Sequence, residues 1–152
     1  MKGFTLVELI VTVVIVMVLM GIGSVYINNF SNSKKLETVT DELVNQIKLA
    51  KNMAVTGQLP SGGNDLVYVG VTTLANGTIT AKVNNSSTLY FSKKIDSMND
   101  LTLTATSFGF AVGTGRLTDI NGTFINGPIS IGVSGSATKT VIITDLGTIN
   151  AN

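Results

Sequence analysis

Three patterns of apolar and polar positions follow one another along this chain. From Leu9 to Ile27 nineteen residues carry no charge and are dominated by Val, Ile, Leu and Met. As an α-helix such a run spans about 28 Å at about 1.5 Å per residue, close to the ~30 Å hydrocarbon thickness of a bilayer. The polar stretch "NNFSNSKK" at 28–35 interrupts it. Apolar residues then return at Leu36, Val39, Leu43, Ile47, Ala50 and Ala54. Their steps of three and four trace one stripe of an amphipathic helix. Gly57 is placed to cap that helix and Pro60 to stop it. The pattern predicts one long helix over residues 5–56, roughly 78 Å in length. Ala50 and Ala54 are small enough for a sheet to approach closely, so the stripe is expected to pack on the chain's own sheet.

From residue 61 the period changes to two, with Gly and Asn as punctuation. "DLVYVGVTTL" (65–74) places Val67, Val69 and Val71 on one face. "NGTITAKV" (76–83) follows, Asn76-Gly77 being a hairpin signal. "TLYFSKKI" (88–95), "LTLTATSF" (101–108) and "GPISIGVSG" (127–135) are the next strands. "KTVIITDLGTIN" (139–150) reads as strand, turn at Asp145–Gly147 and short last strand. The expected class is α+β, a long N-terminal helix packed on an antiparallel β domain.

Composition narrows the chemistry. The chain has 152 residues and no cysteine, histidine or tryptophan. Disulfides and thiolate metal sites are therefore excluded, and so are the commonest general base and metal ligand. No nucleophile stands with a base partner, so no catalytic residue, metal or cofactor is expected. Ten basic residues balance nine acidic ones, which leaves no electrostatic footprint for nucleic acid. Lys93-Lys94 could face a phosphate backbone, but residues 61–152 hold five basic and five acidic side chains. "GTGRL" lacks the lysine of a phosphate loop and reads as turn glycines. "DSMND" (96–100) lacks the spacing of a calcium loop and reads as a solvated turn.

Glu8 then stands out, an acid at the head of the apolar run. A secretory signal peptide would have a shorter apolar core and a more basic start than the single Lys2. A plain anchor explains the length of the run but not the acid. Lys34 and Lys35 follow the run, so charge asymmetry is nearly silent on orientation. A cut after Gly3 would give the acid a partner. The new amino group on Phe4 would lie one helical turn from Glu8, in the same chain or a staggered neighbour. A paired charge is tolerable in an apolar medium where an isolated one is not, and an inter-chain pair sets axial register.

"KGFTLVELIVTVVIV" (2–16) resembles the class III signal of type IV pilins and pseudopilins. The resemblance implies a leader, residues 1–3, removed by a prepilin peptidase that recognises Gly3. It implies a methylated N-terminal Phe4 and Glu8 as the assembly glutamate. Residues 4–27 would form the transmembrane and filament-core helix, 28–57 the amphipathic helix and 58–152 the β-rich domain. Expected partners are other pilin or pseudopilin subunits, the prepilin peptidase and an inner-membrane assembly platform. The subunit would span the inner membrane once and then enter an extracytoplasmic pilus or pseudopilus. Many major pilins carry a proline near the position of Val25; here Gly21 and Gly23 precede it instead. They either loosen the helix or allow close helix packing.

The globular part is similar to the GspH/FimT group of minor pilins. Ala50, Lys51 and Ala54 supply that group's late-helix pattern, Phe110 and Gly113 its Phe before a Gly turn, and Gly147 its final hairpin. Some members bind DNA through arginines near the C-terminus. Arg116 is the single arginine here and the tail "GTINAN" has none, so a DNA-binding uptake subunit is the alternative rather than the expectation. An unprocessed, membrane-anchored β-domain receptor is the other alternative.

Overall fold

The structure is a computed structural model that describes residues 5–60, 66–96, 98 and 100–152, with residues 22–25 described by backbone alone. It divides into two compact units, Met1–Lys34 and Lys35–Asn152. One helix, α1, runs over Leu6–Thr56. Its end is fixed by Gly57, whose φ is +64°. The Gly57 amide donates to Ala54 O at 3.2 Å and the Gln58 amide to Met53 O at 3.2 Å. That pair of bonds is the Schellman motif, which satisfies carbonyls left over at the helix end and favours glycine at the left-handed position.

In the second unit every residue of the expected stripe is buried, Leu36, Val39, Leu43, Ile47, Ala50 and Ala54 alike. Val44 and Thr40 widen it. The Thr40 hydroxyl is satisfied within the helix, donating to Leu36 O at 2.7 Å. This face packs into one apolar cluster with strands of two antiparallel sheets. Burying each of the large aliphatic side chains is worth about 1.5–3 kcal/mol.

The first sheet has the order β3-β2-β1-β5-β6, and the second β4-β7-β8-β9. Their ranges are β1 Tyr68–Thr73, β2 Thr78–Val83, β3 Leu89–Lys94, β4 Thr102–Leu103, β5 Thr106–Ala111, β6 Leu117–Thr118, β7 Ile129–Ser134, β8 Thr138–Ile143 and β9 Ile149–Ala151. The β1–β2 and β8–β9 connections are built alike. In the first, Gly77 N donates to Leu74 O at 3.0 Å and Leu74 N to Thr78 O at 2.9 Å. In the second, Gly147 N donates to Thr144 O at 2.8 Å and Thr144 N to Thr148 O at 2.9 Å. Gly77 and Gly147 have φ of +82° and +76°. Each is a three-residue loop closed by a left-handed glycine, one residue longer than the tightest, two-residue Asn-Gly hairpin.

Three details depart from the sequence pattern. The segment read as one strand, 101–108, is two strands in different sheets, β4 and β5. Threonine hydroxyls take over the backbone pairing where the chain crosses. The buried Thr73 Oγ1 donates to Thr104 O at 3.1 Å and accepts from Thr106 N at 3.2 Å. Thr104 Oγ1 accepts from Gly132 N at 3.1 Å. Second, Val67 does not share the core face with Val69 and Val71; it lies just before β1 and is 63% exposed. Asn84 Oδ1 accepts the amides of Val67 and Tyr68 at 2.9 and 3.0 Å, ending the strand there. Third, β6 pairs with β5 although no alternation of its own marks it.

Candidate assembly site

The first unit carries the head of α1. Thr5 precedes the first helical residue, and Leu9 N donates to Thr5 O at 3.2 Å, the first bond of the helix. The Glu8 amide donates to Thr5 Oγ1 at 3.3 Å, and the Thr5 hydroxyl lies 3.5 Å from Glu8 Oε2. Thr5 at the N-cap with Glu8 three residues on has the spacing of a capping box, and its first half is formed: the Thr5 side chain serves the Glu8 amide, which has no helical partner, while the Glu8 carboxylate meets the Thr5 hydroxyl. The sequence held this signal in the spacing Thr-x-x-Glu, and reading Glu8 as a docking charge alone leaves it out. The acid also lies in the first turn of the helix, where the helix dipole favours negative charge.

From Thr5 to Gly21 every side chain is exposed, including Leu6, Leu9, Ile15 and Leu19. An apolar sleeve of this extent does not remain in water. Among the described residues α1 is the one helix long and apolar enough to cross a membrane. Gly3 and Phe4, the expected cleavage and methylation residues, lie outside the described residues.

A second cluster joins elements of the second unit. Lys51 Nζ donates to Gly147 O at 2.9 Å, and Gly113 N donates to Ala54 O at 3.2 Å. Late-helix residues thus meet two glycine turns far apart in sequence. Phe110 is buried nearby in the sheet, its ring edge-to-face with Phe108 at 5.6 Å and 88°. Arg116, the residue weighed for DNA contact, has its guanidinium 4.6 Å from the centre of the Phe124 ring. Lys93 is paired with Glu42 of the helix at 2.8 Å. Ser97 and Asn99 of the "DSMND" turn lie outside the described residues.

One further polar centre is a turn. Asp119 Oδ1 accepts the amides of Asn121 and Thr123, each at 2.8 Å. These bonds, that from Thr123 foremost, hold its carboxyl below the ordinary carboxylate range. The Tyr68 hydroxyl donates to Ile120 O in the same turn. Burial, and secondarily the charge of Asp119, push the Tyr68 hydroxyl above its ordinary value.

No curated protein and no solved structure matches the chain. The family model described as the prokaryotic N-terminal methylation motif matches residues 1–24. The match covers Gly3, Phe4, the capping box and most of the apolar sleeve. This chain therefore carries, over its first 24 residues, the class III signal of type IV pilin-like proteins.

Proposed function

We propose that this chain is a minor pilin or pseudopilin. It is held in the membrane by α1, cut between Gly3 and Phe4, methylated on Phe4 and assembled with other subunits through its first unit. The observation that carries this reading is the exposed sleeve of α1 with Glu8 at its head. Neighbouring helices of the same kind would bury such a surface, and a Phe4 amine from a neighbour would neutralise Glu8. Charge neutralised in an apolar medium gives register as well as attraction. The meeting of Lys51, Ala54, Gly113 and Gly147 supports a GspH/FimT-like β domain, since these are positions at which the sequence is similar to that group.

The test is the intact mass of the chain after co-expression with a prepilin peptidase. Loss of Met1–Gly3, with one added methyl where the methylating activity is present, is the expected result. An uncut chain beside a cleaved control substrate would overturn the reading and favour a membrane-anchored receptor.

A further inference from the structure

Beyond the sleeve, α1 presents two aromatic side chains on one face. Tyr26 is 76% and Phe30 59% exposed, and they stand one turn apart. Asn29 and Ser33 flank them along the same stretch of helix. Tyr26 lies twenty residues beyond Leu6, about 30 Å along the axis at about 1.5 Å per residue. That distance equals the hydrocarbon thickness of a typical bilayer. After Phe30 the sequence turns to Ser, Asn and the pair Lys34-Lys35. A tyrosine, with an apolar ring and a polar hydroxyl, is favoured where acyl chains give way to headgroups. A phenylalanine one turn on adds an apolar ring of the kind that interfacial helices bury at the headgroup and acyl boundary, and lysines just beyond face the phosphate layer.

We infer that Tyr26 and Phe30 form an interfacial collar, seated at the headgroup boundary of the leaflet remote from the helix head, which fixes the depth of the subunit before assembly. The inference rests on the membrane-held precursor proposed above and adds its register in the bilayer. Glu8 lies eighteen residues before Tyr26, about 27 Å along the axis. A collar at one boundary therefore holds Glu8 at the opposite boundary, where its carboxylate stays in contact with water instead of entering the hydrocarbon. The acid can then wait in the membrane until a partner amine reaches it.

The chain has no tryptophan, so a single introduced indole reports depth without background. Full-length Phe30→Trp, Tyr26→Trp and Met17→Trp chains are reconstituted separately in phosphatidylcholine vesicles containing a minority of phosphatidylglycerol. Emission is quenched with lipids nitroxide-labelled near the headgroup, lipids labelled deep in the acyl chain, or aqueous acrylamide. The collar predicts severalfold stronger shallow than deep quenching at positions 26 and 30, and the reverse at 17. Indoles at 26 and 30 open to acrylamide and untouched by either lipid label would place this face in water and overturn the collar. Shielding from all three quenchers would mean that a second copy covers it, and deep quenching equal to that at 17 would move the boundary; each also overturns it. Failure at 26 and 30 alone leaves the membrane-held precursor standing, whereas loss of deep quenching at 17 removes both.

Discussion

Replacing Gly147 by alanine should damage the second unit far more than the same change at Gly113. Both glycines are left-handed, with φ of +76° and +75°. Each alanine therefore carries the same backbone penalty, about 1–2 kcal/mol. Their surroundings differ. A Cβ at Gly113 meets nothing within 4 Å, whereas one at Gly147 falls 2.0 Å from Gly115 O and 3.2 Å from its carbonyl carbon. Ordinary contact needs about 3.5 Å, and a backbone carbonyl cannot rotate aside as a side chain does. The two turns must move apart. That movement strains the bond from Lys51 Nζ to Gly147 O at 2.9 Å and the bond from Leu117 N to Asp145 O at 3.0 Å. A hydrogen bond from a charged donor is worth about 1.5–3 kcal/mol and a neutral one about 1. Because the two bonds are weakened rather than lost outright, Gly147→Ala should cost about 3–5 kcal/mol, against about 1–2 for Gly113→Ala. At about 4 °C per kcal/mol for a unit of this size, the midpoints should fall by roughly 12–20 °C and roughly 4–8 °C. Thermal unfolding of the full chain in mild detergent, followed by tyrosine near-UV circular dichroism, measures both. Equal shifts would show that the close approach of the two turns does not support the unit.

Ile47→Ala, which empties a fully buried position between helix and sheets, should cost about 2–5 kcal/mol in urea unfolding of the same chain; a change under about 1 kcal/mol would mean the helix does not rest on that core. Because Asp119 titrates below its unfolded value, its contribution is complete above the unfolded pKa near 4 and is lost as pH falls through the lower folded value. Asp119→Asn should flatten the acid limb of the stability curve, and an unchanged limb would deny Asp119 that role. Tyr68 titrates above its ordinary value, so stability should decline once pH passes about 10, where the unfolded tyrosine ionises first; Tyr68→Phe should remove that component. Glu8→Gln should leave the chain inserted and cut but reduce its recovery in sheared filaments as strongly as Glu8→Ala does, and normal incorporation of Glu8→Gln would end the charge role.

The parts legible in sequence are those set by repeated local chemistry. Six apolar residues at helical spacing cannot all face water, so the stripe from Leu36 to Ala54 predicts the buried face. Gly57, Gly77 and Gly147 mark places where the chain needs φ above zero. What escapes sequence reading depends on partners remote in sequence. "LTLTATSF" alternates as one strand would, and its division between sheets rests on Thr73 and Gly132, about thirty positions away on either side. Val67 alternates with Val69, yet its exposure is decided by the Asn84 side chain. In the signal, by contrast, a short local pattern carries much of the information. Thr5 is the exception, because attention to the charge of Glu8 obscures the cap three residues before it.

The cap alone does not account for an acid at position 8. A capping box accepts glutamine as readily as glutamate, and the contact of the Glu8 carboxylate with the Thr5 hydroxyl, at 3.5 Å, is long for a hydrogen bond that would satisfy a charged oxygen. The cap can orient the side chain, but a hydroxyl cannot cancel its charge. A chain that needed only to start a helix beside an apolar sleeve would avoid the desolvation cost with Gln. On the proposed processing, the full negative charge would gain its purpose when a cation arrives after the helix is embedded, and the amine released at Phe4 would be that cation. Thr5, the residue that would follow the released amine, would then orient Glu8 at the helix head through its bond to the Glu8 amide.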